Sequence, residues 1–292
     1  MRYLFLLLFL PTFFLASAQN FKADSFSSQQ VSEMNTWQLL KYDGLNTFNG
    51  VAYAYSRPFH WKKRDFFRAG ATAALVGGLY IVDDETADYF GRQEDNVPEL
   101  IRDFGWYFGS PQNNYGVTTG IYAYGLIAKD PEWRRTGVLM ISSATAGGVL
   151  QQLLKAITGR ARPQTGVGKD VFRPFSGESG YRSFPSGHTI LSFTTAYALA
   201  KHFDNPWVKG GIYAVGLISP VSRLWSGAHF LTDVVLSLAI VVATVEGVDR
   251  YLDTRNGYGE KRYGDRKRKD RNPTTQIHFS AGINQIGLSL SF

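Results

Sequence analysis

Apolar residues gather into six runs in the middle of the chain, at roughly 67–82, 115–128, 137–157, 189–200, 208–221 and 230–248. Each run is rich in small residues, and glycine or proline punctuates the gaps, as at Ser110-Pro111 and Asn205-Pro206. Runs of this length between turn residues, with little alternation of apolar and polar positions, predict helices. The expected fold class is all-α, a bundle of about six core helices over residues 67–249. Residues 19–66 are polar and aromatic without long apolar runs, and read as an N-terminal arm with short helices. The end of the chain changes period. Ile277, Phe279, Ala281 and Ile283 share one face, and Ile286, Leu288, Leu290 and Phe292 share another, so residues 276–292 predict a C-terminal strand or β hairpin packed on the domain.

The first eighteen residues differ in kind. Arg2, the apolar run Leu4 to Leu15 and the small residues Ala16-Ser17-Ala18 predict a signal peptide over 1–18, cleaved before Gln19. An uncleaved anchor is the alternative, but the run is short and Pro11 interrupts it. Export places the mature chain in the cell envelope, either membrane-associated with a periplasm-facing site or soluble in the periplasm. The absence of cysteine excludes a disulfide framework, a thiolate zinc site and a cysteine nucleophile.

The net charge of +7 is unevenly placed. A basic linker is expected over 250–275, with Arg266-Lys267-Arg268-Lys269 in it. It reads as a solvated tail or as a segment drawn to anionic lipid headgroups. No stacking platform or reading motif accompanies it, so nucleic acid is not an expected partner. Asp83, Asp84, Glu85 and Asp88 follow an apolar helix without a histidine and read as a solvated loop and helix cap. Trp106, Tyr107, Phe108 and Tyr115 fit core packing, with a substrate entrance as the alternative.

Candidate chemistry lies in three clusters between Lys155 and Asp233. Lys155 stands near the end of an apolar helix and Gly159 releases the chain before Arg162-Pro163, so two cations return to one helix end and can hold a tetrahedral anion. Pro185-Ser186-Gly187-His188 opens the next apolar run. Its exposed amides form an anion site that glycine lets the backbone approach, and His188 projects from the first turn. In the third cluster, Ser222-Arg223 precedes His229, and Asp233 follows four residues later on the same helix face. A carboxylate there can accept the Nδ1 proton, fix the tautomer and leave Nε2 free to attack. Asp233 in an otherwise apolar helix also needs a partner.

In this order and spacing, Lys155-x6-Arg162-Pro163, Pro185-Ser186-Gly187-His188 and Ser222-Arg223-x5-His229-x3-Asp233 resemble the three-part signature of the type 2 phosphatidic acid phosphatase and vanadium haloperoxidase superfamily. The resemblance covers about a quarter of the chain. It implies a helical bundle with the site at one end, and a phosphatase acting on a phosphomonoester or diphosphate, of a lipid or a small soluble phosphoester. The implied roles are His229 as nucleophile, Asp233 behind it, His188 as acid, and Lys155, Arg162, Ser186, Gly187 and Arg223 as the phosphate cradle. No metal or other cofactor is implied. A vanadium-dependent haloperoxidase, with vanadate in the same cradle, is one alternative; a non-enzymatic envelope protein binding lipid phosphates is another.

Membrane placement pulls two ways. Lys62-Lys63-Arg64, Arg134-Arg135, Lys201 with Lys209 and the basic tail fall on one side of a multi-pass topology and the three clusters on the other. A cleaved signal would instead put Lys62 outside, and several apolar runs of fourteen to sixteen residues are shorter than the roughly 20 needed to span a bilayer.

Overall fold

The computed structural model describes residues 26–258, 276–282 and 285–291; the expected signal peptide and most of the basic linker lie outside them. The described residues divide into a helical unit ending at Tyr258 and a C-terminal hairpin. In the hairpin, β1 (Gln276–Gly282) pairs antiparallel with β2 (Gln285–Ser291), with Phe279 opposite Leu288.

Ten helices make up the helical unit: α1 (Ser28–Ser32), α2 (Thr36–Ser56), α3 (Lys63–Tyr80), α4 (Asp83–Gly91), α5 (Glu99–Gly109), α6 (Pro111–Ile127), α7 (Pro131–Thr158), α8 (Gly187–Ala200), α9 (Pro206–Trp225) and α10 (Leu231–Leu252). All six apolar runs are helical. Their starts follow capping rules. The Asp130 side chain accepts from the Glu132 and Trp133 amides ahead of Pro131, and Asn205 accepts from Trp207 and Val208 ahead of Pro206. At the far end of α7, Gly159 takes the left-handed conformation (φ 55°), and a Cβ there would lie 1.8 Å from the Arg173 carbonyl oxygen. Only glycine lets the chain turn there towards Arg160 and Arg162.

The longest elements, α7 and α10, carry the centre of the core through Val138, Met140, Val241, Val245 and Val248, with Ile190 of α8 packed among them. At 28 and 22 residues they exceed the apolar runs that signal them, because α7 begins with the polar stretch Glu132 to Thr136 and α10 continues past Asp249 and Arg250. They are the two described helices long and apolar enough to cross a membrane. The pair α3–α4, bent by 65°, makes a third if counted as one span.

Two boundaries differ from the sequence reading. Residues 19–66 are not only an arm with short helices, since α2 runs for 21 residues and packs on α7 and α10. Its buried face mixes Leu39 and Tyr42 with Asp43 and Asn46, which hides the apolar period. Residues 250–258 likewise belong to the bundle rather than to a basic linker. Tyr251, Leu252 and Tyr258 are buried in the core, and Arg250 ends a helix.

Asp43 explains why that polar face is buried. Arg134 reaches it with two bonds, Nε to Oδ2 at 2.9 Å and Nη2 to Oδ1 at 2.7 Å, and the Tyr122 and Tyr258 hydroxyls donate to the same carboxylate. Removing one partner strands a buried charge, at a cost of about 3–5 kcal/mol. Asp43→Ala should therefore lower the denaturant midpoint strongly and Arg134→Lys less so. Equal, small effects from both would show that the pair is not a clamp.

Candidate active site

The three clusters arrive at one end of the bundle because each sits at a helix terminus on that side: Lys155 at the end of α7, His188 at the start of α8, Arg223 at the end of α9, and His229 and Asp233 at the start of α10. Arg162 is brought back by the turn at Gly159. A bridge between Arg160 and Phe172 and a bond from the Arg162 amide to the Gly180 carbonyl (2.9 Å) pin this returning segment.

His229 and Asp233 are both buried, and His229 Nδ1 lies 3.5 Å from Asp233 Oδ2, within ion-pair range but outside hydrogen-bond geometry. Asp233 is itself fully held. Its Oδ2 accepts from the Phe230 amide (2.9 Å) and the Ser183 hydroxyl, and its Oδ1 from Arg160 Nη1 (2.8 Å). The apolar helix thus tolerates Asp233 through several partners besides His229, and Ser183 and Arg160 stand outside the three-part signature.

The cations are placed differently from one another. Lys155 is buried and donates to the carbonyls of Arg182 and Ser183, which aims it along the loop before α8. Arg223 bonds Ser222 Oγ through Nε (3.1 Å) and Nη2 (3.0 Å), beneath the half-exposed Trp106 ring, whose centroid is 4.8 Å away. The Arg162 Nε is buried without a hydrogen-bond partner, as is His188 Nε2. Among the described residues no carboxylate comes within ion-pair distance of Lys155, Arg162 or Arg223. Three cations with no carboxylate in ion-pair contact, beside buried polar atoms without hydrogen-bond partners, fit an oxyanion.

Ser186 and Gly187 hold different parts of this wall. Ser186 is buried as the N-cap of α8, its hydroxyl accepting from the Thr189 amide (3.4 Å) and hydroxyl (2.9 Å), while its own amide donates to Ser237 Oγ (2.8 Å). Its first task is to anchor the helix start to α10. Gly187 is partly accessible, and a Cβ there would meet the Gln151 amide at 3.1 Å, so the backbone approaches closely as expected.

The sequence reading missed two features around the site. Asp83 is fully buried at the first residue of α4 and accepts from Arg160, so it is not a solvated cap like its neighbours. Trp106 is not core; its ring lies 5.2 Å from the His188 ring as well as over Arg223. Close helix contact sets its position, since a Cβ at Gly109 would stand 2.9 Å from the His188 side chain and at Gly105 2.5 Å from Ser222. The Gly105-x-x-x-Gly109 spacing was the available signal for Trp106, and Asp83 had none.

Burial and the surrounding cations depress both histidines. Burial is the larger cause at His188, with Arg223 next, and pushes its pKa down to about 3. At His229 burial outweighs the pull of Asp233 and leaves the pKa at about 4. Unfolded histidine titrates near 6.5, so between about 4 and 6.5 the unfolded chain binds more protons, and stability falls as pH drops through that window. The unfolding midpoint should decline from pH 7 to pH 4, and His188→Gln should flatten part of that slope. A pH-independent midpoint would mean that these rings are not held neutral.

A helical bundle that brings three cations without ion-pair partners and a histidine beside a carboxylate to one end has the chemistry to hold an oxyanion. Residues 136–255, which contain every residue of the three clusters, match the family model of the PAP2 superfamily. The chain is 36% identical over 107 residues to the lipid A 1-phosphatases of Rhizobium etli and Rhizobium johnstonii, covering 35% of this chain and 44% and 42% of those proteins. It is 31% identical over 136 residues to phosphatidylglycerophosphatase B of Bacillus subtilis, covering 41% of this chain and 62% of that one. The matched region thus spans less than two thirds of each relative. A crystal structure of Aquifex aeolicus LpxE aligns with a TM-score of 0.42 at 20% identity, covering 55% of this chain and 93% of that one.

Proposed function

We propose that this protein is a metal-independent phosphatase of lipid phosphates that works through a phosphohistidine on His229. The observation that carries the reading is the position of His229. It is buried, has Asp233 at 3.5 Å, and faces cations with no carboxylate within ion-pair distance. A site that only bound phosphate would need the cations but not a carboxylate behind the histidine.

His229 is neutral at neutral pH, as a nucleophile has to be, and Asp233 holds the tautomer with Nε2 free. Nε2 attacks phosphorus, the bond to the leaving oxygen breaks, and His188 gives that oxygen a proton. Water then attacks the phosphohistidine, His188 takes its proton, and inorganic phosphate leaves. Lys155, Arg162 and Arg223 bind the equatorial oxygens and offset their developing charge, the task that metal ions perform elsewhere. The anion's charge also opposes the cations that hold His188 deprotonated, so substrate binding raises its affinity for the proton it delivers.

Lipid as the carrier is supported by the names of the relatives and by the molecule's outer face. Phe67, Leu75, Leu100, Ile127, Val149 and Val242 are exposed on the bundle helices, and α7 at 28 residues is about 42 Å long. We therefore place the protein in or on the envelope membrane with the site facing the periplasm. Arg134, Arg135 and Lys201, which suggested a basic cytoplasmic side, are ion-paired with Asp43, Asp249, Asp253 and Glu246 and do not argue for headgroup contact.

Purified protein in detergent with EDTA should release inorganic phosphate from phosphatidate or lipid A. His229→Ala should lower kcat by about 10³-fold or more while leaving the unfolding midpoint near that of the parent. Retained turnover in that variant would remove the nucleophile assignment. Halide oxidation on adding vanadate, without phosphate release, would favour the haloperoxidase instead.

A further inference from the structure

Behind the nucleophile lies a buried line of charge that the three-part signature does not contain. Arg160 is 1% exposed and spans two carboxylates that are each fully buried. Its Nη1 bonds Asp233 Oδ1 at 2.8 Å and its Nη2 bonds Asp83 Oδ2 at 2.8 Å. Phe230 stacks on the guanidinium with its ring centroid at 4.3 Å, and Tyr80 stands at 4.9 Å. Thr232 ties the assembly together, donating its amide to Asp83 Oδ1 (3.1 Å) and its hydroxyl to Asp83 Oδ2, while accepting from Arg160 (2.8 Å).

The balance of charge gives this line a consequence. Asp233 must offset the positive ring that forms when His229 takes a phosphoryl group. A lone buried arginine on Asp233 would orient the carboxylate but also neutralise it, leaving the imidazolium with little to oppose its charge. With Asp83 on the other side of the guanidinium, the trio carries one net negative charge, and low-dielectric surroundings transmit that charge to His229. Asp83 accepts from the Thr232 amide through Oδ1 and from Arg160 and the Thr232 hydroxyl through Oδ2, so its bonds go to the guanidinium that holds Asp233 and to the residue beside Asp233.

We propose that Asp83 and Arg160 are positioning residues for the nucleophile: Arg160 fixes the orientation of Asp233, and Asp83 cancels the charge of Arg160 so that Asp233 keeps its own for His229. The inference rests on the proposed role of His229. Through Asp83 it also couples the site to α4, just past the 65° bend between α3 and α4.

The charged and titratable groups that face His229 are Lys155 from α7, Arg162 from the returning segment, His188 from α8, Arg223 from α9 and Asp233 from α10, with Arg160 and Asp83 behind Asp233. Removing the charge of Asp83 leaves the cations unopposed, so protonated His229 becomes harder to form. The experiment measures phosphate release from phosphatidate across pH for the full chain in detergent. Asp83→Asn should lower kcat by roughly 10- to 100-fold with KM within about twofold, and should move the acid limb of kcat/KM to lower pH. The double variant Asp83→Asn/Arg160→Gln removes one charge of each sign, restores the net charge of the pair it leaves, and should be more active than Asp83→Asn alone.

Thr232→Val, which keeps both charges, separates bonding from charge, since it should leave the acid limb in place. An unmoved kcat in Asp83→Asn, or a double variant no more active than the single, overturns the inference while leaving His229 as nucleophile. Should Asp83→Asn not fold, the double variant decides. Activity within about tenfold of the parent supports the charge balance, and loss as deep as in His229→Ala overturns it. Full activity in His229→Ala itself removes the underlying reading instead.

Discussion

The carboxylate of Asp233 is the point on which this end of the bundle depends. It caps the first turn of α10 by accepting from the Phe230 amide, receives the Ser183 hydroxyl from the loop before α8, binds Arg160 from the segment after α7, and stands behind His229. Three separate stretches of chain, around Arg160, Ser183 and His229 to Asp233, therefore converge on one buried group. A buried charge of this kind is tolerated only with every lone pair engaged, so the surrounding loops have little freedom to shift without exposing it. The same bonds that make the helix start stable also set the direction of the histidine ring.

Helix termini recur because they solve two problems together. The start of α8 faces the returning segment after α7, which brings cations to the same place, while the Phe230 and Thr232 amides at the start of α10 are taken by Asp233 and Asp83. At the opposite ends of α7, α8 and α10, Arg134, Arg135 and Lys201 are neutralised by Asp43, Asp249, Asp253 and Glu246. From Arg134 to Lys155 along α7 is about 30 Å at 1.5 Å per residue. One end of the bundle satisfies its cations internally. The other leaves them for a ligand.

How much of this was legible in the sequence follows from what each residue is paired with. The six apolar runs announce six helices because their burial depends on period, which is local. The signature clusters were legible because each lies within a few residues of a helix end. Arg160 and Asp83 were not, since they meet across 77 residues and nothing in their neighbourhoods distinguishes them from surface charges. Asp83 even begins a run of acids, Asp83-Asp84-Glu85, that resembles an ordinary exposed cap. The helix α2 was hidden for a related reason, because its buried face is part polar and its partner Arg134 lies 91 residues on.

The buried arginines that meet carboxylates, Arg134 and Arg160, also show why a charge inside the bundle does not by itself mark a catalytic group. Arg134 meets one carboxylate through both its oxygens, and the Tyr122 and Tyr258 hydroxyls complete a closed set. Arg160 meets two carboxylates, one of which also faces a histidine. In the first case the charges cancel and the cluster has only a structural consequence. In the second the surplus of one negative charge has to be answered from outside the cluster, and His229 is the titratable group adjacent to it. A positive ring at His229, as the proposed phosphohistidine would carry, would complete that balance.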